Sequence, residues 1–126
     1  MRLFFAYDYP QSGTWSVLNA MAQALRAKGH TVECQAVGTF GANLPPEIDK
    51  SLRRYDVAHF WNKRSFSPFT NDIRIPFGFT SHGFGGIGEE QKGIQAHYIE
   101  YFKSVSPEWL HVMDTFTLQI LGREGL

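Results

Sequence analysis

Cysteine is almost missing from this sequence. Cys34 stands alone, which excludes an internal disulfide framework and any zinc site built on several thiolates. An excess of one charge is missing too: 12 Lys and Arg balance 12 Asp and Glu. No overall field therefore draws the chain onto nucleic acid or an anionic membrane, and a charged partner has to be read by a local site. No apolar run reaches the ~18 residues that span a bilayer, and Met1-Arg2 leads straight into a strand-like stretch rather than a signal peptide. A cytoplasmic chain is expected, at most peripheral at the inner membrane face, with no transmembrane segment. Internal repeats, low-complexity tracts and interdomain linkers are also lacking, so the 126 residues read as one domain.

Aromatic residues are plentiful at 15%, with 11 phenylalanines, and the composition is that of a folding chain. Leu3 to Ala6 is an apolar run closed by Asp8, Pro10 and Ser12-Gly13, as in a buried first strand followed by a turn. From Thr14, Leu18, Met21, Ala22 and Leu25 recur at helical spacing; Arg26 and Lys28 fall in the last turn, with Gly29 just beyond. Thr31 to Val37 alternates and predicts the second strand, parallel to the first. Pro45-Pro46 opens a short helix carrying Ile48, Leu52 and Tyr55, and Val57 to Trp61 is the third strand. Residues 62 to 74 read as a loop with room for one helical turn. Ile75 to His82 is a fourth strand, Glu89 to Lys103 a helix, and Ser104 to Ser106 a very short fifth strand. Ser106-Pro107 then reads as the start of a last helix ending near Leu121. The fold class is α/β: a Rossmann-like three-layer α/β/α sandwich around a mostly parallel sheet of about five strands.

Ligands of such sheets bind beyond the carboxyl ends of the strands. That selects Asp8 to Thr14, Asn62 to Arg64, His82 to Gly88, and Ser106. No acidic residue occurs between Asp8 and Glu33, so an anion is tolerated before the first helix. There Ser12, Gly13 and Thr14 offer hydroxyls and close backbone, or Ser12 or Thr14 simply caps the helix. Lys63, Arg64 and Arg74 hold a phosphate or carboxylate, or form a solvated basic loop. Phe66 and Phe69 stack on a ligand or close over the core. His82 faces the cleft as a base or donor, or is a structural histidine. Cys34 reads as inert packing.

Gly83, Gly85 and Gly88 match G-x-G-x-x-G, with Glu108 about 25 residues on, as in dinucleotide binders. Against that, Glu89-Glu90 puts two carboxylates where a pyrophosphate would sit on the helix dipole. His30, His59, His97 and His111 show no i,i+4 pairing and no thiolate partner, so no metal is expected. Walker-A, nucleophile-elbow and paired-carboxylate patterns are absent.

Taken in order, several segments resemble the amino-terminal domain of the retaining, nucleotide-sugar-dependent GT-B glycosyltransferases of group 1. They are the glycine turn after the first strand, Ala24-Leu25 to Gly29-His30-Thr31-Val32, Tyr55-Asp56-Val57-Ala58-His59, Ile75-Pro76 to Ser81-His82-Gly83, and Val105-Ser106 with Leu121-Gly122. The resemblance implies the acceptor-side half of a hexosyltransferase-type enzyme, not active alone, with the second, donor-nucleotide domain absent from these residues. It implies that Gly13 and His82 approach the phosphates and sugar of a nucleoside diphosphate sugar, a co-substrate rather than a cofactor. His82 is then the catalytic candidate, and Ser12, Gly13, Thr14, Asn62, Lys63, Arg64, Gly83 and Ser106 are substrate-binding candidates. The partners implied are the nucleotide sugar, an acceptor glycan, lipid or small molecule, and a second Rossmann-like domain or subunit. The alternative is a non-catalytic Rossmann-like binding or assembly module.

Overall fold

Alternation along the first strand decides the layering. The computed structural model describes residues 1–7, 13–38, 41–61, 65–81 and 89–112. β1 (Arg2–Tyr7) sends Leu3, Phe5 and Tyr7 to one side and Phe4 and Ala6 to the other, so it must be covered on both. It lies inside a five-stranded sheet with β2 (Thr31–Ala36), β3 (Val57–Trp61), β4 (Phe77–Ser81) and β5 (Trp109–Val112). The order is β2-β1-β3-β4-β5 and every pairing is parallel. In this order the chain goes one way from β1 and then returns past it, so the β1/β3 boundary is the topological switch point.

The α1 helix (Gly13–Ala27) packs Leu18 and Ala22 on the face of Leu3, Phe5, Val32 and Trp61. The α2 helix (Glu89–Val105) packs Phe102 on the opposite face, against Phe79 in the cluster that also holds Phe4 and Phe60. This is a Rossmann-like α/β arrangement in which each outer layer holds one long helix among the described residues. The α1 helix ends where the sequence says it should: Gly29 has φ +95°, its N–H donates to the Arg26 carbonyl at 3.0 Å, and His30 donates to Leu25 at 3.2 Å. That pair of bonds is a Schellman cap, and it lets β2 start two residues later.

The edge strand β2 is guarded. Arg26 donates to the Val32 carbonyl through Nη2 at 2.7 Å, and Gln35 Nε2 donates to the Ala36 carbonyl at 3.0 Å. Unpaired edge groups are thereby occupied, which discourages strand addition. At the amino end, Asp56 ties β1 to β3 in both directions: its carboxylate accepts the Arg2 N–H at 2.7 Å, and its N–H donates to the Arg2 carbonyl at 2.7 Å.

Three sequence expectations need correction. No helix carries Ile48, Leu52 and Tyr55. The segment is a series of turns, because Asp49 accepts from the Ser51 N–H (2.9 Å) and Oγ (2.6 Å), and Leu52 adopts φ +56°. The apolar spacing was nonetheless meaningful, since Leu52 and Tyr55 are buried and Ile48 packs on them. Residues 104–105 belong to α2, and the fifth strand is Trp109–Val112. Residues 109–112 therefore are not the start of the last helix, and residues 113–126 lie outside the described part. The loop after β3 does contain a short helical piece, ending in a 3-10 turn at Ser67–Phe69.

Candidate functional site

The carboxyl ends of β1, β3, β4 and β5 fall at Tyr7, Trp61, Ser81 and Val112, along one rim. Gly13 opens α1 on that same rim, since α1 runs back over β1 towards β2, and the first turn of α1 holds no acidic residue. Tyr7 and Trp15 fix this helix end: the Trp15 indole donates to the Tyr7 hydroxyl, opposing the upward push that burial gives the Tyr7 pKa. His82 is covalently next to Ser81. The strands that carry Tyr7 and Ser81 are separated only by β3, so their ends are about 10 Å apart at two strand spacings. Ser12, Asn62, Lys63, Arg64, His82 and Gly83 themselves lie outside the described residues, as do the side chain of Thr14 and the Gly85–Gly88 part of the glycine loop.

Ser106 is not on this rim. It ends α2 at φ +49°, donating its N–H to Phe102 (3.1 Å) and its hydroxyl to Lys103 (3.2 Å). The residues that follow return the chain to the start of β4, where the Glu108 N–H donates to the Phe77 carbonyl at 2.8 Å. Ser106 therefore belongs to the amino rim, since the helix it ends runs antiparallel to the strands. Glu108 sits there as well, on the far side of the sheet from the loop that follows β4, and α2 opens with Glu89-Glu90. Both observations count against a dinucleotide at the glycine loop. Arg74 is also at the amino side: its N–H donates to the Ser51 carbonyl at 3.2 Å, three residues before β4 begins. Phe66 and Phe69 are core, at 1% and 0% exposure.

A polar seam that no local sequence pattern announces lies on the α1 face of β3, β4 and β5. Phe5, His59, Gly78 and Trp109 are in register across the sheet. Gly78 leaves the space in which the Trp109 ring lies: a Cβ there would be 2.0 Å from Trp109 Cε2. Across that gap Trp109 Nε1 reaches His59 Nδ1 at 3.0 Å, the two rings being 16° from parallel. His59 Nε2 lies 2.6 Å from Thr80 Oγ1, and Thr80 Oγ1 lies 3.2 Å from His111 Nδ1. His59 and Thr80 are buried at 3% and 0%, whereas His111 is exposed. Burial, followed by the nearby His111, lowers the His59 pKa to about 4, so His59 is neutral at physiological pH.

An indole N–H only donates, and this sets the tautomer of His59. His59 Nδ1 must accept, so Nε2 carries the hydrogen and donates to Thr80; the Thr80 hydroxyl, with one proton and a second lone pair, can either donate to His111 Nδ1 or accept from it. The nearest sequence signal was Gly78 inside a strand pattern, which marks a close approach.

Elsewhere, a depression of about 280 Å³ beside β2 is lined by Gln35, Ile48, Arg54 and Tyr55 among others. Tyr55 donates to Glu33, which also accepts from Arg54 Nη2 at 3.1 Å. Burial, then that carboxylate, raises the Tyr55 pKa, so the phenol stays protonated. Burial likewise pushes the Cys34 thiol up against the opposing Arg26, in keeping with an unreactive packing role. No group of three or more potential metal ligands occurs among the described residues, and no described helix is long and apolar enough to cross a membrane.

Comparison with family models gives no match for this chain, and no curated protein matches it.

Proposed function

We propose that the chain is the acceptor-side Rossmann-like domain of a glycosyltransferase that takes its sugar from a nucleoside diphosphate. The observation that carries the reading is the shared rim. The all-parallel order β2-β1-β3-β4-β5 puts the end of β1, the acid-free start of α1 and the end of β4 on one side of the sheet, around a topological switch point. Residues 8–12, 62–64 and 82–88, which hold most of the polar candidates, follow β1, β3 and β4 directly in the chain.

The chemistry asked of this half is limited. Gly13 and the N–H groups of the first α1 turn receive phosphate oxygens, His82 assists at the sugar, and a second Rossmann-like half grips the nucleotide. Positioning and electrostatic stabilisation of the departing nucleoside diphosphate then supply most of the rate.

Amide shifts of the full chain under millimolar UDP-glucose or GDP-mannose test the reading. Changes at Gly13, His82 and Gly83 are expected. Silence at all three, with a donor-binding domain supplied in trans, overturns it.

A further inference from the structure

We propose that Trp109 latches the edge strand β5 to the sheet and that the latch is proton-sensitive: His59 takes up a proton only when Trp109 leaves Gly78, so acid opens this edge before the rest of the sheet. The device stands on the fold alone and does not depend on sugar transfer. Three observations carry it. First, His59 is buried between Phe5, at 5.3 Å between ring centroids, and the Trp109 ring, which occupies the gap over Gly78. Second, Phe5 lies on β1 and Thr80 on β4, each paired on both sides, whereas Trp109 lies on β5, an edge strand of four residues paired with β4 alone. Trp109 is also half-buried rather than buried, so moving it aside is the route to His59 that breaks the fewest strand pairings. Third, the bond that holds Trp109 across the gap ends on His59 Nδ1 as an acceptor, at 3.0 Å.

A proton on His59 turns Nδ1 into a donor. Two N–H groups then face each other with no acceptor between them, so the bond to Trp109 is lost while the Nε2–H bond to Thr80 is kept. Burying the charged ring without a counter-ion adds to the cost. Among the described residues the groups around His59 do not offset it. His111 faces it from β5 and, when charged, repels it. On the same face β1 brings Tyr7, whose raised pKa keeps it neutral, β4 brings Thr80, and α1 brings apolar residues such as Leu18 and Ala22. Opening carries His111 away together with Trp109, since both are on β5. Burial, with His111 second, holds the closed His59 at a pKa of about 4 against 6.5 when exposed, so protons favour the open form from pH 6.5 downward. β5 ends at Val112 on the carboxyl rim, and its release loosens that end of the rim.

Hydrogen exchange of the full chain, followed by NMR from above pH 6.5 down to about 5 and corrected for the intrinsic pH dependence of exchange, tests the proposal. The β5 amides and the Trp109 indole N–H are expected to exchange through an opening more populated than the one that exposes the β1 amides. That opening is expected to rise about tenfold per pH unit below 6.5. His59→Gln supplies an amide that accepts from the indole and donates to Thr80 without titrating, and it is expected to flatten the pH dependence of β5 opening. Should that variant fail to fold, the comparison of β5 with β1 in the unaltered chain decides. Amides of β5 and β1 that open together at every pH, or a β5 opening that stays constant below pH 6.5, overturn the proposal. A tenfold slope retained in folded His59→Gln overturns it as well.

Discussion

The two faces of the sheet are built on different physics. On the α2 side, Phe4, Phe60, Phe66, Phe69, Phe79 and Phe102 form one buried aromatic cluster, with Phe60 and Phe66 centroids 5.0 Å apart at 72° and Phe79 and Phe102 at 5.3 Å. Edge-to-face and tilted pairs of this kind add to the area they bury. On the α1 side, the half over β1 and β2 is apolar, whereas the half over β3 to β5 contains His59, Thr80 and Trp109 joined by hydrogen bonds. One face maximises burial. The other accepts a desolvation cost and gains fixed hydrogen-bond directions from Trp109 through His59 to Thr80.

Substitutions that separate the faces sharpen the contrast. Phe60→Ala removes the ring at the centre of the aromatic cluster and is expected to cost about 3–5 kcal/mol, read as a lower denaturant midpoint. Gly78→Ala is expected to cost about 3 kcal/mol, because its methyl collides with the Trp109 ring and breaks the bond to His59. Loss of that bond is visible at the Trp109 indole proton, which Phe60→Ala leaves in place.

Acid acts on the polar face through His59. Folded His59 binds a proton less readily than an exposed histidine of pKa 6.5, so protons favour the unfolded chain. Its contribution is flat above 6.5, falls as the pH drops through that value towards about 4, and totals up to about 3 kcal/mol. Chemical denaturation across that range checks it, and a His59→Gln variant should lose this part of the slope. The smallest effect lies on neither face. Ser106→Gly relieves a left-handed backbone at an exposed position and is expected to stabilise by about 1 kcal/mol.

Legibility in the sequence followed the same division. Strands β1 to β3, α1 and its Gly29 cap were readable, since each is set by local alternation, helical spacing or a glycine needing positive φ. The turns at 48–55 were not, because Ile48, Leu52 and Tyr55 have helical spacing while the Asp49 side chain and the left-handed Leu52 bend the chain another way. Ser106-Pro107 misled for a related reason: serine then proline opens helices, but proline also follows helix ends, and here it does. The polar seam was invisible because its partners are 21, 31 and 50 residues apart. Only the parallel register brings them together. Of the candidate site, the rim was predictable from topology, while the removal of Ser106 and Arg74 from it needed the true path of α2 and β4.

Hydrogen–deuterium exchange of the full chain, with and without a nucleoside diphosphate sugar, tests the carboxyl rim as the ligand face most directly. The account predicts slowed exchange confined to peptides covering the end of β1 with the start of α1 and the end of β4. Protection centred instead on Arg2, Asp56 and Arg74 at the amino rim, or none anywhere, would contradict it.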